Sequence, residues 1–135
     1  MSNIEIRKAL ETQLIALDSS IATAWENVDF TPVNNQPFQI VHFLYTQPGD
    51  AGFKNGPYLQ QGYMQVTLQY PTNQGSGAAQ AKAEMLRASF FRGLSLSANG
   101  ITTVIAQTPE ILAAIVENDR YSVKVRIRFY AYIGV

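Results

Sequence analysis

The chain has one histidine, His42. A Ser-His-Asp triad would have to use it as the base, and HExxH or any other His-rich metal site is ruled out. His42 sits in Phe38-Gln39-Ile40-Val41-His42-Phe43-Leu44-Tyr45-Thr46, whose β-branched and aromatic residues predict a buried strand. A lone histidine on such a strand is usually satisfied by hydrogen bonds and has no chemical role. No serine occupies a nucleophile elbow, because Gly93-Leu94-Ser95-Leu96-Ser97 lacks the closing glycine. There are no cysteines, hence no disulfides and no thiolate metal site. The carboxylates are scattered, and no local spacing pairs two of them for acid-base work. A ligand-binding or enzymatic α/β cleft needs convergent polar groups. Only His42, Glu26 and Asp29 lie near enough in sequence to suggest one.

Two further patterns touch on phosphate. Asn73-Gln74-Gly75-Ser76-Gly77 falls between a predicted strand and a predicted helix, but the third glycine of G-x-G-x-x-G is replaced by Gln80. A Walker loop fails because Ala83 follows Lys82. The segment therefore reads as a permissive turn with Ser76 as N-cap. The second pattern is basic. From Arg120 to the C-terminus there are four bases and no acid, and Lys124, Arg126 and Arg128 alternate along one strand face at intervals of about 6 to 7 Å. Such a strip can meet phosphate, an acidic patch on a neighbouring protein, or solvent.

Ten acidic residues balance ten basic ones, which argues against a general nucleic-acid binder. Only 15% of the residues are charged, so little repulsion keeps copies apart. The hydrophobic share of 47% suffices for one core, and 135 residues fit one domain spanning 1–135. The N-terminal stretch is too charged for a signal peptide, and no run approaches the length of a membrane span. These features predict a soluble protein made in the cytoplasm, with no membrane partner.

The positioning elements follow from periodicity. A first helix is expected from Asn3 to Ala24, with Ser2 and Glu5 as a capping box and Ile4, Leu10, Leu14, Leu17 and Ile21 inward. Trp25 to Pro32 breaks it. The first strand, Phe38 to Thr46, is apolar on both faces, so it is either central or covered by another chain. A Gly/Pro-rich loop from Gln47 to Gln60 carries Phe53, Tyr58 and Leu59 as interface anchors beside Lys54. A half-buried strand from Gln61 to Tyr70 ends at Pro71. A second helix from Gly77 to Gly93 turns Ala79, Ala83, Leu86 and Phe90 inward and Lys82, Arg87 and Arg92 to solvent. A strand from Ile101 to Gln107, a short helix from Pro109 to Val116 and a strictly alternating strand from Tyr121 to Ile133 complete the chain. The order predicts an α+β fold: a mostly antiparallel four-stranded sheet, two main helices on one face, and one short extra helix.

One combination of these features is specific. It comprises Trp25-Glu26-Asn27, Phe30-Thr31-Pro32, a strand, a loop, the segment Gly62 to Pro71, a Gly-rich turn and a helix ending near Phe90. This resembles the phage tail terminator and tail completion family, small proteins similar to the minor tail protein U of lambda-like phages. It also resembles the related bacteriophage domain of unknown function with W-E-N…F-x-P and G-x-x-Q-V-x-V-x-x-P signatures. The resemblance spans about residues 1 to 132 and departs trivially at Leu68, where such proteins often carry a β-branched residue. The loop from Pro48 to Leu59 varies in such families, so nothing carries across there.

The resemblance implies a structural virion protein, with no enzymatic activity and no cofactor. It implies a hexameric ring that caps the tail tube, ends its polymerisation and presents a head-proximal joining surface. The implied partners are the tail tube protein and a head-tail connector or neck protein, with DNA passing through the lumen without sequence-specific contact. A head-tail connector subunit is the nearest alternative. The residues expected to touch partners are Phe53, Lys54, Tyr58, Leu59, Lys124, Arg126 and Arg128.

Overall fold

The computed structural model describes residues 2–17, 21–26, 28–32, 36–50, 57–72, 77–117 and 120–133. Two helices, α1 (Ser2–Leu17) and α2 (Gly77–Ser89), accompany nine strands among these residues. The strands are β1 (Ala22–Ala24), β2 (Phe38–Tyr45), β3 (Gly49–Asp50), β4 (Tyr58–Pro71), β5 (Ser95–Ala98), β6 (Ile101–Ile105), β7 (Glu110–Ile111), β8 (Ile115–Glu117) and β9 (Arg120–Ile133). The expected four-stranded sheet is corrected to a curled mixed sheet whose main path has six strands, in the order β1-β2-β4-β9-β6-β5. The α+β class stands.

The centre of the sheet is the antiparallel pair β4 and β9, in register from Tyr58 opposite Ile133 to Pro71 opposite Arg120. Strict alternation in both strands turns one residue set inward. Met64, Val66, Leu68, Val123, Val125, Ile127 and Phe129 are buried beneath the helices. The alternation expected of the last strand thus matches the structure from Val123 to Phe129.

The helices differ from expectation in instructive ways. In α2, Ala79, Ala83, Leu86 and Phe90 are fully buried, as their spacing predicts. Lys82 was expected in solvent but is only 5% exposed. Ala79, Lys82, Ala83 and Leu86 form an i, i+3, i+4, i+7 stripe, so helix geometry puts the lysine inward whatever its polarity. In α1 the inward stripe is Ile6, Leu10 and Leu14, at strict four-residue spacing, while Ile4 is exposed. Residues 18–20 lie outside the described residues, and Ala22–Ala24, expected as the end of this helix, are β1 instead, paired in parallel with Phe38 to Ile40. The side chain of Ser2, half of the expected capping box, lies outside the described residues, as do residues 73–76 and the expected Ser76 cap.

Three corrections concern strands. The turn Asn99-Gly100, with φ of 50° and 84°, makes a hairpin of β5 and β6. The short helix expected over Pro109 to Val116 is replaced by β7 and β8, which pair along β9. The physical reason is the unpaired edge of a central strand: its backbone groups need partners. Leu112 accordingly donates its N–H to the carbonyl of Lys124 at 2.9 Å, between the two short strands. Finally, β3 pairs Gly49 with Leu59 and Asp50 with Tyr58, so both ends of the expected loop are strand.

Candidate assembly surface

The helices cover one face of the sheet, and the opposite face is built from the alternate residues of β2, β4 and β9. Register fixes its rows. Leu44 lies opposite Tyr63, which lies opposite Arg128. His42 lies opposite Gln65, and Gln65 opposite Arg126, with Glu110 of β7 completing that row. Ile40, Thr67 and Lys124 make the next row. At one end Tyr130 and Tyr132 meet edge to face at 6.1 Å, with Leu59 opposite Tyr132. At the other end Arg120 donates to the Gln36 carbonyl at 2.6 Å and lies 5.0 Å from the Phe38 ring centroid.

The basic strip is held in place by its own chain. The Arg126 and Arg128 guanidiniums lie 5.2 Å and 5.8 Å from the centroid of the Tyr63 ring, a cation–π arrangement that splays them along the face. Arg126 Nε donates to Gln65 Oε1 at 3.0 Å. Arg128 Nη2 stands 3.4 Å from Glu110 Oε1, in a pair too exposed to stabilise much. The three bases thus share one half-exposed face, as their spacing predicts. Register adds Tyr63 from a different strand, together with Tyr132. Leu44 and Tyr132, at 48% and 58% exposure, make part of this face apolar.

The other expected contact residues divide. Leu59 joins this face, whereas Tyr58 packs against the core cluster; both lie on β4, not in a loop. Phe53 and Lys54 lie outside the described residues. His42, expected on a buried strand, stands exposed on the open face. Its strand lies second from the end of the sheet, and the helices cover only the Val41, Phe43 and Tyr45 side. Among the described residues no group of three or more His, Asp or Glu side chains can hold a metal ion, and no helix is long and apolar enough to cross a membrane.

A family model described as phage tail terminator protein matches residues 5–129. The chain belongs to this family. Seven solved chains match its fold. One of them, which carries no functional description, covers 97% of this chain and 96% of its own at 24% identity, with a TM-score of 0.74, and shows the fold alone. No curated protein matches the sequence. Membership makes the chain a structural, non-enzymatic component of the phage tail.

The residues that carried the sequence resemblance have structural roles. Trp25 packs against the core, Glu26 accepts a hydrogen bond from the Phe43 N–H at 3.1 Å, and Phe30 meets Phe38 at a centroid distance of 5.1 Å. Asn27 lies outside the described residues.

Proposed function

We propose that copies of this chain, each acting as one domain over residues 1–135, close into a ring on the end of the tail tube. The ring, most simply a hexamer, ends tube polymerisation and offers the head-proximal surface on which a connector or neck protein docks. DNA passes through its lumen without sequence-specific contact. Family membership supports the tail-tube association. The observation that carries the finer reading is the open sheet face, where exposed Leu44 and Tyr132 flank a row of clamped bases. An apolar and aromatic patch with a charged strip suits a protein partner, the aromatics supplying contact area and the charges orientation. Lys124, Arg126 and Arg128 then meet an acidic patch on an adjacent subunit or on the tube protein, with Leu59 on the same face and Phe53 and Lys54 contributing from the adjoining segment.

The test is charge reversal. Arg126→Glu with Arg128→Glu leaves the fold intact, since both side chains are half-exposed, but impairs addition of the protein to purified tails viewed by electron microscopy. Normal assembly combined with altered DNA retention would assign the strip to the lumen and reject the protein contact.

A further inference from the structure

We propose that Glu26 is an edge plug: its carboxylate, anchored by Arg7, closes the free edge of β2 against strand addition by a second copy of this chain. The edge arises because, among the described residues, β1 covers only Phe38 to Ile40 of an eight-residue strand. Thr46 donates its N–H to the Gln61 carbonyl across β4, so even-numbered residues of this strand turn their backbone groups toward β4. The odd-numbered residues Val41, Phe43 and Tyr45 therefore turn theirs outward. A row of outward amides is a template for pairing with another chain. The sheet's other end is different, since β5 lies against α1, with Lys8, Ala9, Thr12 and Gln13 beside it.

Glu26 stands where an added strand would have to put its carbonyl. Its Oε1 accepts the Phe43 N–H at 3.1 Å, and the same oxygen lies 3.2 Å from Arg7 Nη1. Arg7 is fixed in turn by Glu11 at 3.1 Å and by the Phe43 ring, whose centroid lies 4.6 Å from its guanidinium carbon. Trp25, adjacent in sequence, packs against the core and ties the segment down. A carboxylate accepts more strongly than a peptide carbonyl, and an incoming strand would have to strip it from both the amide and the arginine. Two copies pairing through this one edge would close as an isologous dimer, a contact that competes with any other mode of association. The plug leaves the open face as the surface for association. It protects the edge whether or not a ring forms, so it does not rest on the proposed function.

The experiment compares Glu26→Ala with wild type by circular dichroism, by analytical ultracentrifugation over a range of concentrations, and by amide exchange at Phe43. The folded variant is expected to exchange the Phe43 amide about tenfold faster or more. It should also form concentration-dependent species larger than any the wild type forms. If Glu26→Ala does not fold, Arg7→Leu, which keeps the carboxylate but frees it from its anchor, takes its place with the same expected result. Sizes identical to wild type at every concentration, or an unchanged Phe43 exchange rate, would overturn the proposal. The size of the wild-type assembly reports on the ring and leaves this comparison unaffected.

Discussion

Gly62 marks the closest approach of the two longest strand pairings, and Gly62→Ala tests the register of the whole sheet. Gly62 lies opposite Tyr45 on β2 and Phe129 on β9. An added Cβ would fall far inside contact distance of the Leu44 carbonyl oxygen, and 3.1 Å from both the Phe129 Cζ and the Tyr45 Cα. Two of these three neighbours are backbone, so no side-chain rotation relieves the clash. The strand pair would have to part locally, against a Phe129 ring that is 1% exposed and meets Tyr45 edge to face at 6.0 Å. Alanine is otherwise favoured over glycine within a strand by about 0.5–1 kcal/mol. Overpacking against backbone costs about 3 kcal/mol or more and so decides the sign. For a chain of this size each kcal/mol moves Tm by about 3 to 5 °C, so a fall of about 10 °C is expected in a thermal melt followed by circular dichroism. A variant melting within about 2 °C of wild type would refute the close approach and the register with it.

Two further outcomes follow from burial. Ala83→Leu, at a fully buried position on α2, should lower stability by about 1–3 kcal/mol in urea unfolding; Ala81→Leu, exposed on the same helix, should stay within about 0.5 kcal/mol of wild type. Burial pushes the Tyr45 phenol up to about 12, with the Arg7 charge opposing it and the Glu26 and Glu11 charges adding to it. The folded state therefore resists ionisation that the unfolded chain undergoes near its ordinary value of 10. Stability from this group is complete below that value and is lost as pH rises through about 12. Phenolate absorbance should show a late-titrating component that is lost in Tyr45→Phe.

Much of the fold was legible because local geometry dictates it. The alternation of Tyr121 to Ile133 and the three- and four-residue spacing in α2 each have one physical solution. The hairpin of β5 and β6 was missed: Asn99-Gly100 is a strong turn signal, but the weak strand composition of Ser95–Ala98 hid its first strand. The segment from Pro109 to Val116 was not legible. Its short apolar run suits helix or strand equally, and only the unpaired edge of β9 selects strand. Lys82 shows the opposite error, where side-chain chemistry was given more weight than helical phase.

The same division applies to the assembly surface. The sequence alone determined that Lys124, Arg126 and Arg128 share a face, because a strand repeats every two residues. It determined that β2 is apolar on both sides, and that no catalytic constellation exists in local spacing. Strand order and register decided the rest. They set Tyr63 between two arginines 63 and 65 positions further along the chain, and brought Glu26 to the Phe43 amide across an irregular link. Pairing between strands joins residues by hydrogen-bond register across loops of arbitrary length, and no local periodicity encodes it.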